Sequence, residues 1–300
     1  MHTRISRRPR PTALTLAVVA LFGTAPAYAA SLVGLTSANQ VALIDTANVA
    51  GATMTTITGL AAGDRFVGID LRPSNNLIYG ITLNSGIYTL NPTTGVASFV
   101  ATLSGATVSP SLAYGIDFNP VADFAGAASL RFISSAGANL AVNVVTGVAG
   151  NAANTIAGGY TSVAYTNSGS SAPASTALYY IDSNTDTLAM ASTAFNTPTI
   201  TTVGSLGLDV LKAGGFDILA NGQAWAGLLT DDGTADSAIY SINLGTGAAT
   251  LAGNFTGTLT GLTAAPVPEA GTWALMAGGL LALSGLHLRR RQSGQSGQSR

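Results

Sequence analysis

Cysteine is absent from the 300 residues, and histidine and glutamate occur only near the two ends, as His2, His287 and Glu269. Without cysteine there is no disulfide to brace the chain and no thiolate to act as nucleophile or metal ligand. Without histidine or glutamate, the span from Ser31 to Pro266 cannot build a Ser-His-Asp or Cys-His centre, a histidine-bound zinc or iron site, or a glutamate general acid. No Gly-Lys-Ser/Thr follows any glycine-rich turn, so a phosphate loop is excluded. Charge is also scarce, at 8% of residues. Between Ser31 and Pro266 the bases are Arg65, Arg72, Arg131 and Lys212 against twelve aspartates, a formal charge of −8. A body this acidic offers no footprint for nucleic acid. The chain carries no evident catalytic machinery, and the expectation is a protein that is not an enzyme.

What is abundant is small, β-branched or flexible. Glycine supplies 36 residues and apolar types 47%, with Thr, Ser, Ala and Val frequent and helix-favouring Glu, Lys and Arg rare. That composition favours short strands and many turns, and its apolar content argues against disorder.

The body repeats. VGIDLRP from Val67 is followed by NLIYGITL, GIYTLNP and GVASFVATL. A second unit holds YGIDFNP, SLRFISSA and ANLAVNVVTG, then a Gly/Asn-rich stretch to Gly159. A third reads SVAYTNS, TALYYIDS, TLAMAST and PTITTVGSL; a fourth reads GFDILAN, QAWAGLLT, SAIYSINLGTG and AATLAGNF. Four short alternating runs per unit, punctuated by turn residues, predict four-stranded antiparallel meanders. Periods in the forties then predict a β-propeller, because a small sheet hides both apolar faces only by packing between neighbours. The N-terminal runs SLVGLTS, QVALID and ATMTTITGL lack a first strand, and TLTGLTAA at residues 258–265 is one strand left over. Pairing the two completes a ring of five blades; six is the alternative, and a β-sandwich accounts less well for the repeat.

The two ends read as addresses. Arg4, Arg7, Arg8 and Arg10 precede an apolar run from Thr12 to Phe22 and then Ala27-Tyr28-Ala29, the pattern of a signal peptide over residues 1–29 cut by signal peptidase before Ala30. The propeller domain is expected over residues 30–265. At the other end Trp273 to Leu288 is a 16-residue apolar run. As a helix it would be ~24 Å long, slightly short for a bilayer core of about 30 Å. Trp273 suits one interface, and Arg289, Arg290 and Arg291 keep the other end cytoplasmic. A polar tail, residues 292–300, follows.

Val267-Pro268-Glu269 before that helix resembles the PEP-CTERM sorting signal of Gram-negative bacteria: Pro-Glu-Pro, apolar helix, arginine cluster. Ala270 stands where the second proline would be. The resemblance covers residues 266–291 and implies recognition by an exosortase-type transpeptidase, passage through the inner membrane as a sorting intermediate, and a final place at the cell surface or outside the cell; the alternative is a plain C-terminal membrane anchor. It further implies association with an extracellular matrix, with exopolysaccharide as a partner. The GID-x-R-P and LYG pattern of the body resembles a domain family of unknown function found in secreted bacterial proteins, which implies no activity and no catalytic residues.

Within the body, Asp70, Asp117 and Asp217 are expected at one position of three first strands, with Tyr165 and Thr263 at that position in the other two. First strands line a propeller's channel, so the carboxylates could hold Ca²⁺ through hard oxygen ligands, making the body a calcium- or ligand-binding propeller and, less favoured, a calcium-dependent hydrolase. The alternative is that each accepts N–H bonds from a turn of its own blade. Asp231, Asp232 and Asp236 loosely resemble a calcium loop but lack its bidentate glutamate, and a solvated hairpin is the competing reading. Otherwise no cofactor is expected. Tyr79, Tyr88, Tyr179, Tyr180 and Tyr240 are read as packing between blades, and Arg72 as the partner of a channel aspartate.

Overall fold

The structure, a computed structural model, describes residues 30–151 and 154–267. The expected signal peptide, the sorting motif beyond Val267, the apolar helix and the arginine cluster lie outside the described residues. Among the described residues no helix is long and apolar enough to cross a membrane.

Twenty strands form five antiparallel sheets of four. Blade 1 combines β1 (Ser31–Thr36), β2 (Gln40–Asp45) and β3 (Asn48–Thr56) with the last strand, β20 (Leu259–Ala264). Blade 2 is β4 (Phe66–Arg72), β5 (Leu77–Thr82), β6 (Gly86–Leu90) and β7 (Ala97–Thr102). Blade 3 is β8 (Tyr114–Phe118), β9 (Ser129–Ser134), β10 (Asn139–Asn143) and the two-residue β11 (Ala149–Gly150). Blade 4 is β12 (Tyr160–Tyr165), β13 (Leu178–Asp182), β14 (Thr187–Ala191) and β15 (Ile200–Ser205). Blade 5 is β16 (Val210–Ile218), β17 (Ala224–Thr230), β18 (Ala238–Ile242) and β19 (Ala249–Asn254). This is a five-bladed propeller, closed as the unpaired ends of the repeat require. Val33 of β1 pairs with Thr263 of β20, and Ser37 N–H donates to the Thr258 carbonyl at 2.9 Å.

Each pair of neighbouring blades encloses one apolar layer. Val33 and Leu35 of blade 1 meet Phe66, Ile69 and Ile78 of blade 2. Leu32, Ile44 and Val49 of blade 1 meet Trp225, Ile239 and Phe255 of blade 5. Burying a side chain of this size stabilises by about 1.5–3 kcal/mol, so neither face of a blade is dispensable. The tyrosines expected between blades lie there. Tyr79, Tyr88 and Tyr180 are buried, Tyr179 and Tyr240 half-buried against the layer between blades 4 and 5, and Tyr79 meets Phe118 of blade 3 edge-on at 5.6 Å.

The centre is tight. A Cβ on Gly115 would lie 2.7 Å from the Cα of Ser162 in the next inner strand, closer than any side chain can sit. The rim is joined by a recurring Asn-x-x-Thr-Gly turn between third and fourth strands. In residues 143–147 Asn143 Oδ1 accepts the N–H groups of Val145 and Thr146, each at 3.0 Å, and Gly147 takes φ 78°. Asn91 and Asn243 cap their turns the same way.

One insertion departs from the repeat. Asn119 caps a short helix, α1 (Pro120–Ala122), accepting from Ala122 N–H at 3.1 Å. The turn that follows buries Asp123 against blade 2, where Arg72 Nε donates to its Oδ1 at 2.7 Å. Arg72 is therefore not the partner of a channel aspartate. Its guanidinium lies over the rings of Tyr79 and Phe118, at 5.7 and 5.8 Å, and ties the insertion to the neighbouring blade.

Candidate functional site

The inner strands β4, β8, β12, β16 and β20 surround the axis, and one level of them carries a connected set of polar side chains. Phe118 N–H donates to Asp70 Oδ2 at 2.7 Å, and Tyr165 N–H donates to Asp117 Oδ1 at 3.0 Å. Ala264 N–H donates to Asp217 Oδ2, and Leu71 N–H donates to Thr263 Oγ1 at 2.8 Å. Each acceptor belongs to one blade, and each donor is an inner-strand N–H of the next. The aspartates stitch blade to blade; they do not serve turns of their own blades.

The pattern also corrects the alignment. Every donor is one residue past the equivalent position of its strand, so the residue equivalent to Asp117 in blade 4 is Ala164, not Tyr165. Side chains alternate along a strand, so that one-residue slip turns Tyr165 to the opposite face, into the apolar layer between blades 3 and 4. Thr263 is placed as expected. Its hydroxyl lies 2.8 Å from Asp70 Oδ1 and 3.2 Å from Asp217 Oδ2, joining the last strand to blades 2 and 5 at once.

Asp70, Asp117 and Asp217 offer carboxylate oxygens that all lie within 4.8 Å of one another, and all three residues are buried. Burial, with Asp217 nearby, pushes the Asp70 carboxyl well above its ordinary range. Burial, with Asp70 and Asp217 alongside, does the same to Asp117, and burial raises Asp217. Like charges in a dry site disfavour ionisation, so the trio holds protons or needs a cation. The donor set fits Ca²⁺: three hard carboxylates, one of which, Asp117, accepts a single hydrogen bond and keeps an oxygen free among the described residues.

Asp231, Asp232 and Asp236 form no such group. All are exposed; Asp232 Oδ1 accepts from Thr234 N–H at 2.9 Å, and Asp236 Oδ1 from Gly257 N–H at 2.8 Å. Among the described residues the channel trio is the grouping with metal-ligand spacing. Of the expected sorting motif only Val267 is described. It is exposed, and its N–H and carbonyl pair with the Asn76 side chain at 3.1 and 2.7 Å, in the turn between β4 and β5.

Sequence reasoning missed a second polar centre. Arg131 of β9 is only 3% exposed, and its guanidinium donates to Tyr165 Oη at 3.2 Å, Asn139 Oδ1 at 3.2 Å and Asn196 Oδ1 at 3.0 Å. It lines a cleft of about 400 Å³ between blades 3 and 4. The available signal was a lone base among the apolar residues Leu130, Phe132 and Ile133 of the strand SLRFIS.

The chain is similar to several solved structures. One is a crystal structure of a protein of unknown function from Bacteroides caccae, 8% identical with a TM-score of 0.40, covering 78% of this chain and 98% of that one. Another, of unknown function from Bacteroides thetaiotaomicron, is 13% identical with a TM-score of 0.45, covering 76% of this chain and 58% of that one. A third is a calcium-binding protein, regucalcin, from Agrobacterium tumefaciens, 12% identical with a TM-score of 0.37, covering 76% of this chain and 68% of that one. No curated protein matches. A domain of unknown function, DUF4394, matches residues 40–263, from the second strand to the closing one, and the chain belongs to that family.

Proposed function

We propose that the protein is an exported, non-enzymatic propeller of the cell surface or extracellular matrix, delivered by its N-terminal signal and released from the inner membrane by an exosortase-type transpeptidase. The observation that carries this reading is where the strands of the ring lie relative to the two address segments. Among the described residues all twenty strands lie between Ser31 and Ala264. Ala30, the residue after the expected signal-peptidase cut, is buried, with its N–H on Thr46 Oγ1 at 2.8 Å. Ala265 N–H pairs with the Ser31 carbonyl at 3.0 Å, so both address segments join the ring beside one another in blade 1. The body's lack of histidine, cysteine and glutamate supports a role without catalysis.

Replacing Pro268 and Glu269 with alanine tests the sorting step. The apolar run and Arg289 to Arg291 suffice for insertion, whereas Pro268 and Glu269 add little to it. In a host carrying the sorting enzyme, the wild type is expected to lose its C-terminal segment and leave the inner membrane. The double variant is expected to accumulate there as a longer species by fractionation and intact-mass analysis. Full-length wild type retained in the inner membrane would sink the sorting reading.

A second reading is favoured by the channel. On this reading the trio of buried carboxylates would hold Ca²⁺, the ion replacing protons and tightening the contacts among blades 2, 3 and 5. Water would supply the ligands that three carboxylates cannot.

A further inference from the structure

We propose that the cleft between blades 3 and 4 binds a carboxylated sugar, with Arg131 holding the carboxylate and the surrounding polar side chains taking the hydroxyls. The inference goes beyond the surface-protein reading and does not depend on it.

Arg131 is a buried cation without a counter-charge. The ion pair found among the described residues is that of Arg72 with Asp123. Asp117 is the register partner of Arg131 on β8, but its carboxylate is turned to Tyr165 N–H. All three protein acceptors around the guanidinium are neutral: a phenol and two amides. Of the five N–H groups that arginine carries, three are engaged and two have no acceptor among the described residues. A buried guanidinium so placed calls for an anion, and its planar fork matches a carboxylate.

The site is built rather than incidental. Asn139 is fully buried and its Nδ2 donates to the carbonyls of Phe195 and Asn196, at 3.1 and 3.3 Å. That grip fixes the loop between β14 and β15 and turns Asn139 Oδ1 toward the guanidinium. The cleft is also lined by Asn119, Ser129, Thr193 and Thr197, which present hydroxyls and an amide. The half-buried ring of Phe195, held edge-on to Tyr165 at 5.2 Å, adds an apolar wall. One cationic fork, several neutral donors and acceptors, and one aromatic wall in about 400 Å³ match a hexuronate in charge, hydroxyl content and size. Inorganic phosphate would leave the wall and most of the polar lining without a role.

Calorimetric titration of the full chain in detergent tests this, with sodium glucuronate as probe and glucose, acetate and inorganic phosphate as comparators. Glucuronate is expected to bind saturably, and each comparator about tenfold more weakly or worse, because each lacks the charge, the ring or the planar carboxylate. Arg131→Gln is expected to lose at least about tenfold in glucuronate affinity. Asn196→Asp guards against a folding defect in that variant. It sits on an exposed loop and places a carboxylate where the amide now meets Nη2, supplying the missing counter-charge from within. It is expected to fold at least as stably as the wild type and to lose glucuronate binding. Absence of saturable glucuronate binding, equal binding of acetate or phosphate, or undiminished binding by Asn196→Asp would each overturn the proposal.

Discussion

The inner ring and the outer rim of this propeller are built on opposite terms. At the axis, the strands β4, β8 and β12 are buried along nearly their whole length, and polar side chains there are committed to the next blade. At the rim, β19 has no buried position and β7 buries only Ala97, and β11 has shrunk to two residues without opening blade 3. An inner strand touches both neighbouring blades and cannot be altered without disturbing two apolar layers. An outer strand mainly shields its own third strand.

The largest effect should come from removing an inner strand. Deleting residues 258–265 takes away β20, which pairs with β1 and carries Thr263, the hydroxyl shared by Asp70 and Asp217. It would expose the edge of β1 and strip Leu259 and Leu262 from the layer between blades 5 and 1. Loss of a cooperative thermal transition is expected, and a midpoint equal to that of the intact chain would contradict ring closure.

A smaller effect, of opposite sign, is expected from Asp117→Asn. Burial and the neighbouring carboxylates raise the folded-state pKa of Asp117 above its unfolded value. Such a group stabilises fully below the unfolded value and loses that contribution as pH rises through the folded one. Stability of the wild type should therefore fall as pH climbs out of the acid range. An asparagine can still accept the Tyr165 N–H without carrying charge. At pH 8 without calcium the variant should melt roughly 2–4 °C higher, the shift that ~1 kcal/mol produces in a domain of this size, and with a flatter pH dependence. Added Ca²⁺ should raise the wild-type midpoint and leave the variant nearly unmoved. A wild type indifferent to both calcium and chelator would remove the calcium reading.

The smallest effect belongs to the rim. Phe99 on β7 is 61% exposed and meets Tyr88 edge-on at 5.5 Å. Phe99→Thr keeps a strand-favouring residue and should change stability by no more than about 0.5 kcal/mol, read as an almost unmoved denaturation midpoint. A large loss there would show that the rim carries more of the fold than its exposure implies.

Five blades, their strand content and the closing role of TLTGLTAA were legible because alternation, turn residues and a repeat period are local properties of the chain. Asp70, Asp117 and Asp217 were legible as a set because the Gly-x-Asp spacing recurs. Their partners were not. The hydrogen bond that Asp117 accepts from Tyr165 N–H spans 48 residues and exists only once two blades are packed. Blade 4 was misaligned by one residue because Ser162-Val163-Ala164 has neither the glycine nor the aspartate that marks the position elsewhere.

The sequence by itself determined the all-β ring, its acidic body without histidine, cysteine or glutamate, and the basic and apolar runs near its two ends. Only the tertiary structure decided which groups meet. It set three carboxylates together at the axis, sent Arg72 to Asp123 instead of the channel, and enclosed Arg131 among Tyr165, Asn139 and Asn196. The physical reason is that strand patterning depends on neighbours two residues away, whereas the charge balance of a site depends on side chains from different blades. Those side chains approach one another only when packing closes the ring.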